Sequence, residues 1–438
     1  MIRGDDEVKR ELEIDLARSE EAYAACDGDT DALESIFGHN FFRPQADELS
    51  ARQDEIDRFL QGGNLRLVVP MREPEGKADE VEGVLRKLVR QLPPGKVLVV
   101  DNGSDAKVVA TTQDIPGVRL VSRNDVFERL LERQRLLTLL NPPDGKLPDR
   151  GKGLTVLAGY LCSYFLDEVE GKAKWLGQCD AEIAGFDAKE TDEGVVPGYQ
   201  CLEHLVWGML EAPQGRYYKM AMPCRGNERC IQKRLDLLLL SQKEFVPPRM
   251  RQRLREIALR TGPHLWMLTG EFILHRELAY QRPFATGYLE ETLTAMFVED
   301  IGAEGHPGRN GYTVQVYNPN QRSDADNSSL KETVMQTQIG CFLQEMAEHM
   351  GLVNTWTLQD ITTLNCGYMA KPLMVFWPHS NAPSHKWPPL DKQKPIYTFE
   401  NDRIIPSVEM LIESGFVNVD AGRRFAEELL EQERSTLG

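Results

Sequence analysis

Two apolar runs joined by an amphipathic stretch constrain the fold of this chain most. Leu65-Arg66-Leu67-Val68-Val69-Pro70 follows the breaker Gln61-Gly62-Gly63, and a short apolar run bounded by turn residues reads as a buried strand. Ala78 to Leu92 follows as a helix, with Val81, Val84, Leu85, Leu88 and Val89 on one face. After the turn Pro93-Pro94-Gly95, Lys96-Val97-Leu98-Val99-Val100 is a second strand, ending at Asp101-Asn102-Gly103-Ser104. Strand, helix, strand at this spacing is a βαβ unit. The expected class is therefore α/β, with a Rossmann-like, mostly parallel sheet flanked by helices.

The rest of the chain extends that pattern. A third strand is expected at Val118-Arg119-Leu120-Val121, then a helix and a Pro/Gly loop over 122–150. Gly153 to Glu168 reads as a helix and Ala173 to Cys179 as the next strand. Residues 200–212, 228–260, 288–300 and 330–350 have helical patterns, and Gly262 to Ala279 reads as a turn, a strand and a helix start. Tyr312 to Tyr317 is a strand running into the polar loop Asn318 to Ser329. The tail is rich in Pro and Trp and ends in a charged helix. Three regions are expected: a helical N-terminal extension (1–62), a ligand-binding domain (63–330) and a C-terminal helical addition (331–438). Either extension suits packing on the central domain or formation of a homo-oligomer.

Composition narrows the function classes. The formal charge of −17 over 438 residues argues against nucleic acid as a partner. No apolar run reaches the ~18 residues of a membrane span, and Met1 to Arg18 is charged throughout, unlike a secretory signal. A cytoplasmic location is expected. The eight cysteines are scattered with no C-x-x-C pair, which suits buried free thiols and not a zinc site.

Four short motifs carry chemistry. Gly151-Lys152-Gly153 opens a helix, where an ammonium and helix N-terminal donors suit phosphate, although a solvated loop lysine has the same sequence. Asp180-Ala181-Glu182 ends an apolar strand; side chains two apart in extended chain share a side and can share a divalent cation, Mg2+ or Mn2+. Asp101 can accept hydrogen bonds from a base or ribose, or simply close an Asn-Gly turn. Thr269-Gly270-Glu271-Phe272 can meet sugar hydroxyls or form a hairpin. A basic cluster, Arg216, Lys219, Arg225 and Arg229, suits an anionic substrate or a paired surface patch. Tyr288-Leu289-Glu290-Glu291 supplies another carboxylate pair, or simply favourable negative charge at a helix start.

In order and spacing these motifs resemble the retaining glycosyltransferases of GT-A fold that make mannosylglycerate, mannosyl-3-phosphoglycerate and glucosyl-3-phosphoglycerate. The matching pieces are Val68-Val69-Pro70 with Arg72-Glu73, Asp101-Asn102-Gly103-Ser104, Gly151-Lys152-Gly153, Asp180-Ala181-Glu182, Thr269-Gly270-Glu271-Phe272 and Tyr317-Asn318-Pro319, over roughly residues 64–350. The resemblance implies a GT-A-like fold and a soluble hexosyltransferase. It would move mannose or glucose from a nucleotide sugar, such as GDP-mannose or a UDP-hexose, to glycerate or 3-phosphoglycerate, in compatible-solute synthesis. It implies that Pro70, Arg72, Glu73 and Asp101 border the base and ribose. Lys152 would contact the nucleotide, Gly270 and Glu271 would lie at the donor sugar, and Arg225 would hold the acceptor's anionic group. Asp180 and Glu182 would sit at a Mg2+ or Mn2+ ion. Transfer with retention would proceed by front-face attack, resting on positioning and charge stabilisation at the diphosphate.

Two positions depart from that pattern. The second carboxylate is Glu182, one methylene longer than the usual Asp, and the loop Asn318 to Asp326 lacks the usual histidine. Asp324, Asp326 or Asn320 would then supply the oxygen ligand, or Arg322 would assist the diphosphate in place of a metal. Two other classes compete: a non-catalytic nucleotide-sugar-binding or regulatory protein of the same fold, and a sugar nucleotidyltransferase. The latter is disfavoured because the segment after the first strand, Met71 to Lys77, has a single glycine.

Overall fold

Every residue from Leu65 to Met71 is buried, as an interior parallel strand must be when helices cover both faces of its sheet. The structure is a computed structural model that describes residues 41–42, 44–142, 145–147, 151–181, 189–191, 194–196, 200–221, 270–287, 289–305, 313–317, 353–369, 374–375, 397–398 and 403–437. The elements that build the main sheet and its layers are β1 (Phe41–Phe42), α1 (Ala46–Ala51), α2 (Gln53–Gln61), β2 (Leu65–Met71), α3 (Ala78–Gln91), β3 (Val97–Asp101), α4 (Ala106–Gln113), β4 (Val118–Ser122), α5 (Arg123–Leu130), α6 (Arg133–Leu140), α7 (Lys152–Glu170) and β5 (Trp175–Gln178). They continue with α8 (Cys201–Glu211), β6 (Tyr217–Ala221), β7 (Phe272–His275), α9 (Arg276–Gln281), α10 (Glu290–Gly305), β8 (Thr313–Tyr317), α11 (Leu358–Met369), α12 (Val408–Glu413) and α13 (Val419–Leu437).

Among the described residues the main sheet has eight strands in the order β1-β8-β6-β7-β5-β2-β3-β4. All pairings are parallel except those of β7, which runs antiparallel between β5 and β6. The α/β, mostly parallel sheet expected from the sequence is the one observed. Its faces alternate along each strand. Val97 and Val99 join a core with Val81, Leu85 and Leu88 of α3 and Leu205 of α8, whereas Leu98 and Val100 join Leu157 and Leu161 of α7 and Phe425 of α13. The C-terminal helix therefore packs over α7 in the same core as the sheet.

The helices expected at 78–92, 153–168, 200–212 and 288–300 are present within a few residues. The stretch 122–150 holds two helices, α5 and α6, where the sequence suggested one. Residues 1–40 and the helical patterns at 228–260 and 330–350 lie outside the described residues. Of the four described cysteines, Cys162, Cys179 and Cys201 are buried free thiols, and Cys366 departs from expectation in being exposed. Among the described residues no helix is long and apolar enough to cross a membrane.

Chain order reverses at β2: β3 and β4 lie on one side, β5 on the other. Such a switch point leaves a crevice at the carboxyl ends of the strands. Pro70 marks where it opens. The ladder between β2 and β5 ends at Val68 and Gln178, and the Cys179 amide still donates to the Val68 carbonyl. Pro70, two residues on, faces the same way, so its missing N–H leaves no strand without a partner.

Candidate functional site

Five charged side chains converge at that crevice. Lys152 is the first residue of α7, Asp180 follows β5, Gly270 and Glu271 precede β7, Lys219 lies on β6 and Glu291 is in the first turn of α10. Because β7 is antiparallel, its first residue meets the carboxyl ends of its neighbours, which brings Glu271 to the same edge.

Lys152 is the hub. Its Nζ lies 2.6 Å from Asp180 Oδ1 and 2.8 Å from Glu291 Oε1. Asp180 is 38 % exposed and Glu291 7 %, so one carboxylate faces the crevice and the other anchors the lysine from within. Burial works against the Lys152 ammonium, but Asp180 and Glu291 outweigh it and hold the group above the usual lysine range. Gly270 fits against this pair: a Cβ there would press on Lys152 Nζ and come within 2.7 and 2.8 Å of the Asp180 oxygens.

Behind the pair lie two further groups, both buried. Lys219 shares its face of the sheet with Tyr217 and Phe272, whose ring centroids are each 5.8 Å from its Nζ. Burial pushes its ammonium down to about 7 against the pull of Glu291 and Glu271. Burial, followed by the Asp180 charge, pushes Glu271 well above the ordinary carboxylate range, against the pull of Lys152 and Lys219. The Glu271 carbonyl accepts from the Met220 amide (3.0 Å), and the Gly270 carbonyl accepts from Gln178 Nε2 (3.2 Å). Gln178 Oε1 and Glu271 Oε2 are buried acceptors with no hydrogen-bond donor among the described residues.

Past the carboxyl ends of β2 and β3 the chain is a stitched pair of loops. Asp101 Oδ2 accepts from the Gly103 amide (3.0 Å) and Oδ1 from the Ser104 amide (2.9 Å), so the turn reading of this motif holds. Each oxygen keeps lone-pair capacity for a further donor. The Glu73 amide donates to Ser104 Oγ (2.9 Å), and the Glu73 carbonyl accepts from the Asp105 amide (2.9 Å). Pro70, Arg72, Glu73 and Asp101 thus lie together at the carboxyl ends of β2 and β3, with Arg72 exposed, and Lys152, Asp180 and Gly270 lie together at the carboxyl end of β5.

No family model matches the chain, and no curated protein does. Solved structures are found. Glucosyl-3-phosphoglycerate synthase from Mycobacterium tuberculosis in complex with phosphoglyceric acid is 16 % identical, over 85 % of this chain and 99 % of that one, at a TM-score of 0.47. The same enzyme with Mn2+ and UDP-glucose is 17 % identical over 85 % and 98 %, at 0.46. Mannosyl-3-phosphoglycerate synthase from Rubrobacter xylanophilus is 19 % identical over 74 % and 86 %, at 0.42.

Of the expected site residues, Arg225, Glu182 and Asp324 lie outside the described residues, as do Arg229, Arg322 and the loop from Asn318. Among the described residues no three His, Cys, Asp or Glu side chains gather to hold a metal ion. Of the described carboxylates that surround Lys152, Asp180 is the accessible one. The basic cluster is divided: Lys219 joins the crevice, while Arg216, at the amino-terminal end of β6, lies 3.8 Å from Glu277. Two participants stand in motifs the sequence offers without being assigned to the site by it: Glu291 in a carboxylate pair and Lys219 in the basic cluster. Glu291 looked like any acid at a helix start, and nothing local distinguishes it. Lys219 had a usable signal, a single charge inside the apolar run Tyr217-Tyr218-Lys219-Met220-Ala221, which reads better as a buried strand than as a surface patch.

Proposed function

We propose that this protein is a retaining glycosyltransferase of GT-A type, moving mannose or glucose from a nucleotide sugar to a small anionic acceptor of the glycerate or 3-phosphoglycerate kind. The observation that carries the reading is the Lys152–Asp180–Glu291 cluster, set with Gly270 and Glu271 at the switch point of a parallel sheet. Lys152 meets the diphosphate. Asp101 and the loop Pro70 to Glu73 border the nucleoside, Gly270 lets the transferred sugar approach closely, and Glu271 lies beside it. Arg225 holds the acceptor's anionic group.

The charge balance supports a divalent cation. Asp180 and Glu291 already match the Lys152 ammonium, and burial favours the neutral forms of Glu271 and Lys219, so an anionic diphosphate gains little from the cluster alone. Asp180, with Glu182 and Asp324, would hold Mg2+ or Mn2+, which would neutralise charge developing on the leaving diphosphate. Lys152 keeps Glu291 as its partner when Asp180 turns to another cation, and remains protonated for the diphosphate.

A second reading, a non-catalytic nucleotide-sugar-binding protein, is favoured by one fact: Lys152 already neutralises Asp180. Calorimetric titration of GDP and UDP, each with and without Mn2+, tests the first reading. Metal-dependent binding of one of them, abolished by Asp180→Ala, is the expected result. Binding of neither overturns it. Binding without sugar transfer or donor hydrolysis from the matching nucleotide sugar selects the second reading.

A further inference from the structure

The two glycines around Lys152 are explained by a neighbouring strap and not by phosphate alone. Gly151 has φ +148°, and a Cβ there would run into the carbonyl oxygen of Thr286; a Cβ at Gly153 would run into that of Ala285. The backbone of residues 284–286 therefore lies directly on the turn that aims Lys152. This strap is held from the far end of the chain. Phe284 and Ala285 pair antiparallel with Ile405 and Ile404. The Thr286 amide donates to the Arg403 carbonyl (2.9 Å), and the Arg403 amide donates to Thr286 Oγ1 (2.8 Å). Asn365 of α11 ties the same segment, accepting from the Ile404 amide (2.8 Å) and donating to the Ile404 carbonyl (2.9 Å). Arg403 Nε reaches the Leu140 carbonyl at the end of α6 (3.1 Å).

The strap also fixes the other partner of Lys152. Glu290 Oε2 accepts from the Ala285 amide (3.2 Å), and the Glu290 carboxylate pairs with the buried Arg282. Glu291 is the next residue, so the same contacts set both the turn behind Lys152 and the carboxylate in front of it.

We propose that the C-terminal segment around Arg403 positions the Lys152 ammonium through this strap, with Thr286 and Arg403 as its positioning residues. The C-terminal addition is then part of the nucleotide site and not an appendage to it. A charged hydrogen bond to a diphosphate depends on where the donor points, and a displacement of about 1 Å at a supporting residue is enough to weaken a site strongly. The proposal rests on the reading that Lys152 meets a nucleotide diphosphate.

The test compares wild type, Thr286→Val, Thr286→Ser and Lys152→Ala by titration with UDP and GDP in the presence of Mn2+, together with the thermal midpoint of each. Valine keeps the shape of threonine and removes the hydroxyl that accepts from Arg403; serine keeps the hydroxyl. The expected result is nucleotide binding weakened about tenfold in Thr286→Val, restored in Thr286→Ser, with midpoints close to wild type. Thr286→Val binding as tightly as wild type, while Lys152→Ala does not, overturns the strap and leaves the nucleotide site standing. A Thr286→Val protein that melts well below wild type but binds as tightly when folded has lost only stability, which also overturns the proposal. Lys152→Ala binding as tightly as wild type sinks the nucleotide site, and the strap proposal with it.

Discussion

Gly153 and Gly270 both border the Lys152 hub, but they answer to different neighbours, and substitution separates them. A methyl at Gly153 meets the backbone oxygen of Ala285, which cannot move without the strap. Gly153→Ala is expected to cost about 1–3 kcal/mol in urea unfolding, the range of an overpacked core site. At Gly270 the nearest atoms to the methyl are the tips of Lys152 and Asp180, and flexible side chains can turn aside. Gly270→Ala should stay within about 1 kcal/mol of wild type in the same measurement. If the crevice binds nucleotide as proposed, its affinity in titration should fall about tenfold, because the displaced ammonium no longer points at the diphosphate. A Gly270→Ala protein with unchanged affinity would argue against Lys152 as the diphosphate contact.

At the scale of elements, the sheet is locked at its other end by a buried ionic network. Arg66 of β2 pairs with Asp167 and with Glu170 (2.8 Å) of α7. Lys96 lies 3.3 Å from Glu170, and Arg119 of β4 joins Glu170 to Glu433 of α13. Tyr280 of α9 donates to Asp167 at 2.9 Å. Burial alone would raise Glu170, but Arg119, Arg66 and Lys96 outweigh it and bring its carboxyl from 4.5 down to about 2. A depressed carboxylate pKa stabilises the fold fully above its unfolded value, and that contribution is lost as pH falls from about 4.5 towards 2. Glu170→Gln should therefore be less stable than wild type by about 3 kcal/mol at pH 7 in urea titrations. The gap should narrow steadily below pH ~4.5. A gap that persists unchanged to pH ~2 would mean the glutamine merely disturbs packing.

At the scale of the whole molecule, the C-terminal helix completes one face of the core. Phe425 is buried among α7 residues and carries the Arg129 guanidinium over its ring at 4.5 Å. Phe425→Ala should cost about 3–5 kcal/mol in unfolding, and an undiminished stability would show that α13 is a dispensable cover. The sequence alone determined the parts whose signal is local. The strands at 65–71, 97–101, 118–122 and 313–317 lie within apolar runs, and α3 and α7 are continuous helical stretches. Lys152 between two glycines and Asp180 at the end of an apolar strand were visible for the same reason. Tertiary structure alone decided that β7 enters antiparallel between β5 and β6, that Lys219 comes to the same edge as Lys152 and Asp180, and that Glu291 completes the partners of Lys152. It also decided that residues 403–405 clasp the strap over Gly151 and Gly153. Each of these depends on which distant segments pair, a choice made by the burial of whole faces that no short window of sequence records.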